Sequence, residues 1–189
     1  MKNIAIFISG RGSNMVAIAQ QVQNGILADC CQIKLVFANQ ATAQGLDIAA
    51  NMGLPTACLP SESRKRADHE RDIIALLAPL QIDYIVLAGY MRLISPVLIA
   101  HYPQRIINIH PADTRQHQGL HAYEWAWQQQ LTHTHITVHY VDSGMDTGDI
   151  IAQTTVDLQG AASLQEVEQR GLAVEHQFYS QVLKRFLSS

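Results

Sequence analysis

Short, β-branched apolar runs alternate with helix-length segments along most of this chain, and that rhythm limits the fold more than any other feature. Residues 3–9 (NIAIFIS) are apolar at nearly every position and stop at glycine. Such a run predicts a strand covered on both faces, as in a parallel sheet. Residues 15–22 predict a helix, with Ser13 or Asn14 as its cap. Strands at 33–38, 56–59 and 84–88 follow, separated by helices at 43–52 and 67–77. This alternation builds a doubly wound α/β sheet, mostly parallel and flanked by helices. In the second half, strands are expected at 105–109, 135–141 and 148–156, with a helix at 122–130. At the end, Leu164, Val167, Gly171, Val174, Phe178, Val182 and Phe186 recur every three or four residues. That spacing predicts an amphipathic helix over 163–186. Nothing reads as a repeat or linker, so residues 1–189 are expected to form one domain.

About half the chain is apolar, 48% of 189 residues, enough for a continuous core without disulfides or a structural metal. Cys30, Cys31 and Cys58 lack metal-like spacing and are expected as reduced thiols. The first residues run straight into a strand and no long apolar stretch follows, so a soluble, untargeted, cytoplasmic protein without membrane partners is expected. The net charge is −3, which argues against bulk nucleic-acid binding. The one dense basic cluster, residues 64–66, reads as a solvated surface, and Trp125 and Trp127 read as packing.

Three constellations could carry chemistry. Ser9-Gly10-Arg11-Gly12-Ser13-Asn14 lies between the first strand and first helix. Its glycines permit a sharp turn, and free amides at a helix start attract a phosphate; a plain strand-to-helix turn is the alternative. On the strand ending at Pro111, Asn108 and His110 share a face, where an amide and an imidazole suit a developing oxyanion. A hydrogen-bonded structural histidine is the alternative there. The turn at 142–148 holds Asp146, whose carboxylate could lie opposite His110. It would then keep the imidazole cationic or accept a proton from a reacting amine; ordinary hairpin chemistry would explain the same residues. His133, His135 and His139 lack a companion Cys or carboxylate at metal-ligand spacing, so no metal is expected.

Taken together, Gly12-Ser13-Asn14, Leu87-Ala88-Gly89-Tyr90-Met91-Arg92, Asn108-Ile109-His110-Pro111 with Gly119-Leu120-His121, and Val138-His139-Tyr140-Val141 with Met145-Asp146-Thr147-Gly148 resemble the folate-dependent formyltransferases. The match runs in order over nearly the whole chain, and Gly-Ser-Asn in the first loop points to the phosphoribosylglycinamide formyltransferases among them. The resemblance implies a Rossmann-like single domain that moves a formyl group from 10-formyltetrahydrofolate, without a metal, to the amine of glycinamide ribonucleotide in purine biosynthesis. It implies that Asn108 and His110 stabilise the oxyanion and that Asp146 keeps His110 charged. Thr137 and His139 would support them from the neighbouring strand. Gly12, Ser13 and Asn14 would hold the acceptor phosphate and Glu175 its ribosyl part. Met91, Arg92, Leu93 and Ile94, with Asp142, Ser143, Gly144 and Met145, would line the pterin site, and Arg66 would be a basic folate contact.

The chain departs from that pattern after His110-Pro111. Where the family usually reads Ser-Leu-Leu-Pro, this chain has Ala112-Asp113-Thr114-Arg115, and Leu172 stands where a polar acceptor contact is expected. Both changes border the acceptor. They leave open a formyltransferase acting on another amine, such as an amino sugar nucleotide. A non-catalytic folate- or nucleotide-binding module and a deformylase using water are the other readings.

Overall fold

The computed structural model describes residues 1–188. Its centre is a seven-stranded sheet in the order β3-β2-β1-β4-β5-β6-β7. The strands are β1 (Lys2–Ile8), β2 (Cys31–Ala38), β3 (Thr56–Cys58), β4 (Tyr84–Leu87), β5 (Ile106–His110), β6 (His133–Tyr140) and β7 (Ile150–Asp157). The first five are parallel and β6 and β7 run antiparallel. The helices are α1 (Ser13–Asn24), α2 (Gln44–Asn51), α3 (Arg66–Leu77), α4 (Pro96–His101), α5 (Ala122–Gln128) and α6 (Leu164–Leu187).

Side-chain alternation on β1 separates two cores. Ile4, Ile6 and Ile8 face a layer with Met15 and Ile18 of α1 and Val182 and Leu183 of α6. Ala5 and Phe7 face the other, with Ile73 and Leu77 of α3 and Leu98 of α4. Both faces of β1 are therefore dry, which is why its sequence is an unbroken apolar run. Chain order reverses beside β1, with β2 on one side and β4 on the other. Sheets of this kind bind ligands outside the strand ends at such a switch point.

Two expectations are corrected. Neither Ser13 nor Asn14 caps α1: Gly12 holds the cap position with φ +73, and no side chain completes the cap. Glycine adopts that left-handed backbone without steric cost, so the helix starts at Ser13, two residues earlier than expected, and Asn14 is free to point elsewhere. Helix α4 was not expected at all. It is only six residues long, too short for a periodic signal. Its start is held by Ser95 and by Glu70 of α3, whose carboxylate accepts the amides of Ser95 at 2.7 Å and Leu98 at 3.2 Å. The C-terminal helix forms as expected, capped by Ser163, which accepts the Glu166 amide at 3.2 Å.

Candidate active site

Strand pairing brings the central residues together. Asn108 on β5 stands opposite His139 on β6, and His110 stands opposite Thr137. Asp146 lies in the β6–β7 connection with φ +54, the left-handed region that aspartate and asparagine tolerate better than most side chains. That bend turns its carboxylate back onto β5. Asp146 Oδ2 lies 3.3 Å from His110 Nδ1 and accepts the Gly119 amide at 2.8 Å. Its Oδ1 accepts Asn108 Nδ2 at 3.2 Å and lies 3.4 Å from His139 Nε2. His139 thus touches the carboxylate itself rather than standing behind it. Thr137 does stand behind: it donates to the Ala112 carbonyl at 2.6 Å and accepts Gln153 Nε2 at 2.9 Å, holding the start of the 112–118 loop.

The two ring nitrogens of His110 both face acceptors, Asp146 at Nδ1 and the His117 carbonyl, 2.9 Å from Nε2. Only the imidazolium can donate to both. Burial works against that charge and prevails over Asp146 and the carbonyl, so the His110 pKa falls below the usual histidine value. Burial thus opposes the cationic ring that Asp146 favours, against the expectation that the carboxylate alone sets the charge. For Asp146, burial raises the pKa, but the His139 hydrogen bond, the His110 charge and the Gly119 amide outweigh it, and the carboxyl is held below its usual range. Above His110, the His117 ring stacks on Trp125 with centroids 4.8 Å apart and on His110 at 6.3 Å.

These groups form one wall of a cleft of about 300 Å³. Met91, Leu93, Ile94 and Val141 line the opposite part, and Leu120 and Met145 edge it. Met91 and Leu120 are 60% and 61% exposed, apolar surface that the fold leaves uncovered and that suits a flat heteroaromatic ring. Asp142 and Gly144 also line the cleft, whereas Ser143 lines a neighbouring groove. Arg92 reaches the cleft wall, yet its guanidinium donates to the carbonyls of Ser61 at 2.7 Å and Arg64 at 2.8 Å. Arg66, exposed at the start of α3, does not line the cleft. The basic cluster is a solvated surface, as expected: Lys65 and Arg66 are exposed, and Arg64 pairs with Asp72 at 2.5 Å at the surface. Among the described residues, no group of three or more His, Cys, Asp or Glu is arranged to hold a metal ion.

A second polar nest lies beside the first loop. Asn14 Nδ2 donates to Glu175 Oε2 at 2.6 Å, and the Tyr123 hydroxyl donates to Glu175 Oε1. Glu175 is 4% exposed, and burial pushes its pKa up against the two hydrogen bonds. Tyr123 reaches it because position 171 has no side chain. A Cβ there would lie 2.2–2.3 Å from the tyrosine ring and hydroxyl. Reasoning from sequence found Asn14 and Glu175 but missed Tyr123, Gly119 and His117. Two of these three act through backbone groups, which no side-chain pattern reports.

Comparison with known proteins agrees with this geometry. Residues 2–183 match the family model described as formyl transferase. The chain is 36% identical over 188 residues to phosphoribosylglycinamide formyltransferase of Bacillus subtilis (strain 168), covering 99% of this chain and 95% of that protein. It is 32% identical over 183 residues to the trifunctional purine biosynthetic protein adenosine-3 of Drosophila pseudoobscura pseudoobscura, covering 96% of this chain but 13% of that much longer one. The crystal structure of phosphoribosylglycinamide formyltransferase from Bacillus halodurans superposes with a TM-score of 0.93 at 38% identity, covering 100% of this chain and 96% of that one. With the fold, the cleft and the family model in agreement, the chain belongs to the formyl transferase family.

Proposed function

We propose that residues 1–189 act as one cytoplasmic enzyme domain that transfers the formyl group of 10-formyltetrahydrofolate to the amine of glycinamide ribonucleotide, a step of purine biosynthesis. The observation that carries this reading is the convergence of Asn108, His110 and Asp146 on one wall of a partly apolar cleft. The apolar part takes the pterin, with Met91, Leu93 and Ile94 on one side. Backbone amides at Gly12 and Ser13 take the acceptor phosphate, with Asn14 and Glu175 toward its ribosyl group. No metal takes part, and the partners are these small molecules.

Attack of the amine nitrogen on the formyl carbon forms a C–N bond and puts negative charge on the formyl oxygen. Asn108 Nδ2 donates to that oxygen, joined by the His110 ring once it carries its second proton. The proton shed by the amine passes to the Asp146–His110 pair, whose ring then carries the charge that both its acceptors favour. Collapse breaks the bond to N10 of the folate, and the pair returns the proton to N10. Amine and N10 thus exchange one formyl group and one proton, and the protein is unchanged.

The test incubates the protein with 10-formyltetrahydrofolate, with and without glycinamide ribonucleotide, and follows folate absorbance. Loss of formyl only when the ribonucleotide is present supports the reading; loss without any acceptor indicates hydrolysis. One observation favours a second reading, transfer to a different phosphorylated amine: in the loop bordering the acceptor, an Asp113–Arg115 pair at 2.9 Å stands where the family has apolar residues. Turnover with an amino sugar nucleotide but not the ribonucleotide would establish that alternative.

A further inference from the structure

The loops leaving β1, β2, β3 and β4 are tied together by buried polar side chains that the transfer chemistry does not use. Ser9, at the head of the first loop, is 5% exposed, and Asn39, just after β2, is 3% exposed. The Ser9 hydroxyl donates to Asn39 Oδ1 at 2.5 Å and accepts the Met91 amide at 2.8 Å. Asn39 Nδ2 donates to Ser61 Oγ at 3.0 Å, and the Asn39 carbonyl accepts the Ser61 amide at 3.0 Å. Arg92 closes the circuit with its two bonds to the carbonyls of Ser61 and Arg64. A backbone bond from Ser9 to the Gly89 carbonyl, 2.9 Å, runs alongside.

The directions of these bonds matter. A serine hydroxyl has one proton, and Asn39 takes it, so Ser9 meets Met91 only as an acceptor. The Asn39 amide is engaged at both ends, which fixes its orientation too. Ser9 begins the loop that reaches Gly12, and Met91 begins the segment that walls the cleft. The two lie on either side of the switch point between β1 and β4.

We propose that Ser9 and Asn39 are positioning residues that hold the acceptor loop and the folate-lining segment in one register, so that the acceptor amine meets the formyl carbon. This rests on the two-substrate reading above. Relative placement of two bound reactants governs turnover more than the binding of either alone, and displacement by about 1 Å can cost about 10²-fold.

The experiment compares wild type with Ser9→Ala and Asn39→Ala. Equilibrium dialysis gives Kd for 10-formyltetrahydrofolate and for glycinamide ribonucleotide separately, and turnover gives kcat. The expected result is a kcat lowered roughly ten- to hundredfold, each Kd within about threefold of wild type, and an unchanged kcat–pH profile because Asn108, His110 and Asp146 are intact. Circular dichroism confirms folding. Should Asn39→Ala not fold, Ser9→Ala, which removes a single oxygen, carries the test. Unchanged kcat in the variants of an active wild type overturns the inference alone, as does a Kd loss as large as the kcat loss. A wild type that binds neither substrate overturns the functional reading, and this inference with it.

Discussion

Asp146 and Glu175 are both carboxylates withdrawn from water, yet their pKa values move in opposite directions. Burial acts on each in the same sense, favouring the neutral acid. Asp146 meets the Gly119 amide, the Asn108 amide and two imidazoles, a set that can carry positive charge. Glu175 meets only the amide of Asn14 and the hydroxyl of Tyr123, which are neutral. Glu175 is also the more deeply buried of the two, so depth and neutral partners act together on it, whereas polar and ionisable partners overcome burial at Asp146. One fold thereby holds one carboxyl whose ionised form is favoured and another whose neutral form is favoured.

The sharpest test of this contrast removes the charge from Asp146. Asp146→Asn keeps the shape and the backbone preference, and kcat should fall at least about 10²- to 10³-fold, as for loss of a preorganised charge-stabilising group; single-turnover kinetics measures it. A smaller loss would mean that the anion is not part of the reacting centre. The pH profile comes next. The depressed pKa places the His110 titration below 6.5, so the acid limb of kcat should have its midpoint below 6.5, where the ring takes a proton before the amine can supply one. A midpoint above 6.5 would contradict the balance in which burial prevails.

At the other nest, Gly171→Ala drives a methyl into the Tyr123 ring and should cost about 1–3 kcal/mol in urea unfolding. Adding Tyr123→Ala should recover part of that loss by clearing the space. The gentlest effect is on the slope of stability against pH. The raised pKa of Glu175 gives a contribution present below its usual 4.5 and lost as pH rises through the folded value. The depressed pKa of Asp146 gives one present above its usual 3.8 and lost as pH falls through the folded value. Urea titrations across this range should show Glu175→Gln flattening the first slope and Asp146→Asn the second. Equal behaviour of the two variants would erase the distinction.

The parts of the molecule legible from sequence are those where neighbours in space are neighbours along the chain. The apolar run of β1 reports a strand dry on both faces, and the spacing from Leu164 to Phe186 reports one side of α6. Asn108 and His110 are legible as a pair because they are two residues apart on one strand. The link from Asn14 to Glu175 spans 161 residues, and no local pattern encodes it. The same holds for α4, whose start depends on a carboxylate 25 residues away in α3. The direction in which the His110 pKa moves is hidden for a related reason. The partner carboxylate can be guessed from sequence, but the depth of burial that overrides it cannot.

The left-handed backbone at Asp146 has an evolutionary consequence. At φ +54 a side chain crowds the following carbonyl, at a cost of about 1–2 kcal/mol that glycine, asparagine and aspartate largely avoid. Other residues bear that cost elsewhere in this chain, at Gln81, Gln104 and Gln130. A lineage that abandoned the chemistry would therefore still drift toward glycine, asparagine or aspartate at this position, though conformation alone would not forbid the rest.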